Sequence, residues 1–124
     1  AAFADLVITT YALHHLPDFW KGVALERIHR LIKPGGLLFI RDVVIPSQLP
    51  LKAIAAFISR QAAAGGDFLR EDAEGHFRDE HSTYDWVMDG LLTRAGFTIK
   101  TRRQSAGVIS DYLCTRNADR GNQT

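Results

Sequence analysis

Hydrophobic and polar positions along the chain fall into alternating strand-like and helix-like blocks. Asp5 to Tyr11 is β-branched and lacks polar alternation in its first half, the pattern of a central parallel strand covered on both faces. Pro17 punctuates the chain, and Asp18 is placed to cap a helix. From Phe19 to Lys33 the apolar residues Trp20, Ala24, Ile28, Leu31 and Ile32 share a helical stripe, while the charged residues fall mainly elsewhere. Pro34 ends the helix, and Gly35-Gly36 supply a turn. Leu37 to Ile45 then reads as a second strand. Strand, helix and strand within about forty residues form a βαβ unit with parallel strands.

A long connection follows, from Pro46 to His81. A helix is expected from Pro50 to Ala64, ended by Gly65-Gly66. The stretch from Asp67 to His81 carries six acids and two arginines and reads as a lid, a substrate wall or a solvated insertion. Ser82-Thr83-Tyr84-Asp85 matches a capping box for a helix from Thr83 to Arg94, which buries Val87, Leu91 and Leu92 and extends that face with Tyr84 and Met88. Ala95-Gly96 ends it. Phe97 to Arg103 and Val108 to Thr115 read as an antiparallel pair joined at Ser105-Ala106-Gly107. The expected architecture is α/β: two parallel strands plus a terminal antiparallel pair with flanking helices, half of a doubly wound sheet. The domain spans residues 1–116, with an insertion at about 46–81 and a polar tail at 117–124.

Composition narrows the function classes. The 124 residues carry 15 Lys and Arg against 14 Asp and Glu, a formal charge of +1. That balance supplies no field for capturing nucleic acid or a membrane surface. No apolar run reaches the roughly 18 residues of a membrane span. The single cysteine, Cys114, precludes an internal disulfide and points to a reducing compartment, hence the cytoplasm.

Three motifs carry a family resemblance. Asp5-Leu-Val-Ile-Thr-Thr-Tyr-Ala-Leu-His-His-Leu-Pro-Asp18 resembles the fourth-strand motif of class I S-adenosylmethionine-dependent methyltransferases. Leu31-Ile-Lys-Pro-Gly-Gly-Leu-Leu38 resembles that family's turn into its fifth strand. Glu80-His-Ser-Thr followed by Leu91-Leu-Thr-Arg-Ala-Gly-Phe97 resembles the helix and turn before its terminal hairpin. The resemblance is to the small-molecule branch. It implies S-adenosylmethionine as cofactor and a small-molecule methyl acceptor as partner, with no nucleic acid and no membrane. The family's glycine-rich loop and ribose-binding acid precede the matched region, so the isolated chain is expected to be a C-terminal half, inactive alone. The first strand would then pair with an N-terminal half or a second chain. The alternative is a non-catalytic α/β interaction module that pairs through that strand.

The resemblance implies cofactor contacts at Thr9, Thr10, Tyr11 and His15, past the C-terminal end of the first strand. His14, His15 and Asp42 are the catalytic candidates. Each histidine reads either as a proton acceptor near the substrate or as a structural residue. Two adjacent histidines are expected to point apart. Asp42, in a buried strand, needs a partner, either Arg41 or a histidine. His81 and Tyr84 are candidates for the substrate side of the cleft. No spacing of His, Cys and acids singles out a metal site, so none is expected.

Overall fold

The first strand forms as its apolar run dictates: β1 spans Ala4–Thr10 and lies parallel to β2, Ile32–Ile45. The computed structural model describes residues 2–118, so most of the 117–124 tail lies outside the described residues. Between the strands run a 3-10 turn at Leu13–His15 and helix α1, Asp18–Leu31. Helix α2 spans Pro50–Asp79, strand β3 Thr83–Tyr84 and helix α3 Asp85–Ala95. The hairpin of β4, Phe97–Ser105, and β5, Ile109–Arg116, completes the chain. The sheet order is β1-β2-β5-β4, with β5 antiparallel to both neighbours and the short β3 parallel to the end of β2. This is the expected α/β half-sheet, with β3 added.

The core follows the two-residue period of the strands. Leu38, Ile40 and Val44 of β2 and Tyr112 and Cys114 of β5 meet Leu25 of α1 and Met88, Leu92 and Ala95 of α3. Each fully buried leucine or isoleucine contributes on the order of 1.5–3 kcal/mol before entropy. The Pro34-Gly35-Gly36 turn is a bulge: Ala4 pairs with Ile32 and Leu6 with Leu37, so the residues between Ile32 and Leu37 loop out. Gly35 has φ +79°, and a Cβ on Gly36 would meet the backbone oxygens of Lys33 and Asp5 at 2.9 and 3.1 Å. Both positions therefore require glycine.

Four expectations need correction. The buried arc of α1 centres on Lys21 and Leu25, with Ala24 and Ile28 packed beside it, while Trp20 and Leu31 are exposed. Lys21 is not on the stripe read from the sequence. Its aliphatic stem is buried, and its ammonium is held by Leu16 O at 2.5 Å, Asp18 Oδ1 at 3.1 Å and the carbonyl of His81. Asp18 is accordingly no cap; it lies inside the helix, and Pro17 occupies the N-cap. The capping box at Ser82 does not form either, because Thr83 and Tyr84 pair with Val44 and Ile45 and the helix starts at Asp85.

The acidic stretch after Gly66 is helical as well. Gly66, with φ +70° and ψ −154°, breaks α2 where the glycine pair was expected to end it, and a second helical segment follows to Asp79. Its charges mask an inward stripe of Leu69, Ala73, His76 and Phe77, all at least partly buried, at i, i+4, i+7 and i+8. Glu80, the C-cap, continues that line.

Candidate functional site

The two parallel strands end on a cluster of ionisable side chains drawn from three parts of the chain. Asp42, near the C-terminal end of β2, is fully buried. Its Oδ2 accepts the Leu13 amide at 2.9 Å, and its Oδ1 accepts the Val43 amide at 2.7 Å and faces His14 Nδ1 at 2.6 Å. The 3-10 turn that carries His14 is thus tied to β2. Arg41, by contrast, faces the other side of the sheet, because side chains alternate along a strand. It pairs with its cross-strand neighbour Asp111 through two 2.8 Å hydrogen bonds. The Arg41 guanidinium holds the Asp111 carboxyl below the usual carboxylate range. The partner of Asp42 is therefore the histidine.

Helix α2 delivers the other side of the cluster. His76 and Glu80 stand one turn apart, with His76 Nδ1 3.2 Å from Glu80 Oε2. The same oxygen is 2.7 Å from His14 Nε2 and 3.4 Å from His15 Nδ1. His76 Nε2 is 2.9 Å from Ser82 Oγ. The rings of His14 and His76 lie tilted against each other with centroids 4.6 Å apart, and those of His14 and His15 likewise at 4.2 Å. Burial, and next the charge of His14, push His76 below the ordinary imidazole range against the opposing pull of Glu80. The end of α2 is pinned here by backbone and side chain together: the His81 amide donates to His14 O at 2.8 Å, and Lys21 holds the His81 carbonyl.

His14 and His15 were expected to point apart. His14 is buried and the His15 side chain is 60% exposed, yet both reach Glu80. Thr10 and Tyr11 are exposed at the end of β1, with Thr9 half-buried beside them. Tyr11 adopts φ +52°, a strained conformation for a residue with a side chain, and its amide donates to Arg41 O at 2.7 Å. Such strain gathers where a chain must turn into a site. The side chain of His81 is exposed, and its backbone alone joins the cluster. Tyr84 stacks on Trp86 at 5.8 Å. It also lines a groove of about 470 Å³ with Ile45, Leu51 and Ile54. Glu80 was assigned no role from the sequence. The i, i+4 spacing of His76 and Glu80 on the inward stripe was the signal for both.

Among the described residues β1 pairs with β2 alone; its Leu6 and Ile8 are exposed, as is Phe3 just before it. No helix of the described residues is long and apolar enough to cross a membrane.

Comparison with known proteins agrees with this architecture. Residues 1–40 match the methyltransferase domain family. An uncharacterized methyltransferase of Geobacillus kaustophilus is 32% identical over 104 residues, covering 84% of this chain and 45% of the relative. A demethylmenaquinone methyltransferase of Bacteroides fragilis is 24% identical over 118 residues, covering 90% of this chain and 47% of the relative. The chain therefore spans less than half the length of these relatives. Human N-acetylserotonin methyltransferase, solved in complex with S-adenosylmethionine, superposes with a TM-score of 0.62 at 20% identity, over 93% of this chain and 30% of that one.

Proposed function

We propose, from the premise that this chain belongs to the class I S-adenosylmethionine-dependent methyltransferases, that the protein containing it methylates a small molecule. One observation carries the reading. The polar cluster of Asp42, His14 and Glu80 gathers at the C-terminal ends of the two parallel strands, where open α/β sheets hold their ligands. Relatives named for demethylmenaquinone and N-acetylserotonin support a small-molecule acceptor.

In this reading Thr9, Thr10, Tyr11 and His15 form one wall of the cofactor site. The apolar groove beside Tyr84 receives the acceptor, although His81 contributes only its backbone. When bound, S-adenosylmethionine would supply an electrophilic sulfonium methyl group to the acceptor's nucleophile. An acceptor that must lose a proton has the His14–Asp42 pair nearby, with Asp42 orienting the ring. The chain alone is inactive, because the glycine-rich loop expected of the family lies outside it. The protein containing it works in the cytoplasm, a reading supported by the lone cysteine of this chain, and the rest of that protein covers β1.

Calorimetric titration with S-adenosylmethionine tests this. The longer protein should bind the cofactor and transfer labelled methyl to small molecules, and this chain alone should not bind at micromolar concentrations. Sub-micromolar binding by the chain alone would refute the incomplete site.

A second reading, a non-catalytic module, rests on the exposed apolar residues Leu6 and Ile8 of the edge strand and Phe3 just before it. It predicts a stable complex through β1 in a longer protein that neither binds S-adenosylmethionine nor transfers methyl. Sedimentation of the chain as a partnerless monomer speaks against it.

A further inference from the structure

We propose that His14, His76 and Glu80 form a binding site for a divalent transition metal, with Zn²⁺ as the ion of best fit. One ligand atom from each lies within 4.8 Å of the others. A tetrahedral ion with bonds of about 2.1 Å separates its ligand atoms by about 3.4 Å. The His76–Glu80 separation of 3.2 Å already matches that spacing, and the His14–Glu80 pair at 2.7 Å opens to it by small side-chain rotations.

Three further features prepare the ligands. Asp42 accepts from His14 Nδ1 at 2.6 Å, so in the neutral ring the proton sits on Nδ1 and the Nε2 lone pair faces the cluster. A carboxylate behind the distal nitrogen is the usual support of a metal-bound histidine. His76 is arranged in mirror image, with Nε2 on Ser82 Oγ at 2.9 Å and Nδ1 toward Glu80. Finally, Glu80 Oε2 is buried and receives no well-directed hydrogen bond, although three imidazole nitrogens stand 2.7 to 3.4 Å away. Lone pairs facing one another at such distances repel, and a cation between them turns that repulsion into ligation.

The donor set selects the ion. Two imidazoles and one carboxylate suit Zn²⁺ and its neighbours, whereas Mg²⁺ and Ca²⁺ favour sites built of oxygen. The backbone is already held, because the His81 amide bonds His14 O and Lys21 clasps the His81 carbonyl. Three protein ligands leave one position of a tetrahedral shell for a water or a ligand oxygen. The site shares His14 and Glu80 with the cluster read above as serving methyl transfer, but its ligand set and its test do not rest on that reading.

The test is titration of Zn²⁺ into the metal-stripped chain, read by calorimetry, with Co²⁺ absorption as the spectroscopic probe. One equivalent should bind, with the visible bands of a tetrahedral nitrogen–oxygen site. His76→Ala and Glu80→Gln should each weaken binding by at least tenfold. Zn²⁺ should raise the melting temperature of the parent chain and leave that of both variants unchanged, which separates lost ligation from lost folding. Absence of stoichiometric binding to the parent chain overturns the proposal. So does binding that survives both substitutions in variants shown to be folded by circular dichroism.

Discussion

Asp42 Oδ1 and His14 Nδ1 meet at 2.6 Å across 28 positions of sequence, in a pocket where the carboxylate is fully buried. That contact joins the turn after β1 to the inside of β2. The same carboxylate takes the amides of Leu13 and Val43, so one side chain satisfies donors from two segments.

Asp42→Ala should therefore strand two buried amides and an imidazole at once. Removing one member of a buried hydrogen-bonded pair costs about 3–5 kcal/mol. Urea unfolding should show a loss of that size without a change of slope. A loss under about 1 kcal/mol would mean that water replaces the carboxylate freely.

Lys21→Met keeps the buried stem and deletes the ammonium, leaving the carbonyls of Leu16 and His81 without their donor. A cost of about 2 kcal/mol is expected. The local signature is more specific: amide exchange at His81 should quicken more than exchange at Leu92, which is buried in the core away from the lysine.

Gly96 closes α3 at φ +101°, and an added Cβ would stand 2.6 Å from His29 Nε2. Gly96→Ala combines a left-handed conformation with a clash, so a loss of about 1–3 kcal/mol is expected in thermal unfolding. Gly90, where an added Cβ meets nothing within 4 Å, lies inside the helix. Gly90→Ala should stabilise by up to about 1 kcal/mol.

Burial pushes the Cys114 thiol up to about 11 and the buried Tyr112 phenol upward as well. Below about pH 8.5, the usual thiol value, both the folded and the unfolded chain keep the thiol proton. Above that the unfolded chain releases it first, so stability falls as pH rises toward 11. Cys114→Ala should flatten the early part of that fall in denaturant melts at several pH values. In the folded chain at neutral pH, iodoacetamide should leave Cys114 unmodified.

Much of the architecture was legible from local pattern. The unbroken apolar runs of β1 and β2, the Lys33-Pro34-Gly35-Gly36 turn and the alternation of the last hairpin each depend on neighbours in sequence. Errors fell where a charge outweighed a period. The stripe read along α1 left out Lys21, whose stem is buried, and the acids from Asp67 to Glu80 hid the stripe of Leu69, Ala73, His76 and Phe77. The Ser82 capping box failed for another reason: β2 offered Thr83 and Tyr84 a ladder to join, and local capping preference yielded to it.

By itself, the sequence determined the order of elements, the parallel pair, the hairpin and the chemistry available near the strand ends, since periodicity and turn chemistry act over a few residues. Only the tertiary structure decided which charges meet. Arg41 and Asp42 are neighbours in the chain, yet the strand pleat sends one to Asp111 and the other to His14. Glu80 reaches three histidines because α2, the 3-10 turn and β2 converge there. Apart from the His76–Glu80 pair one turn apart, such contacts depend on how distant segments pack, and no spacing along the chain encodes them.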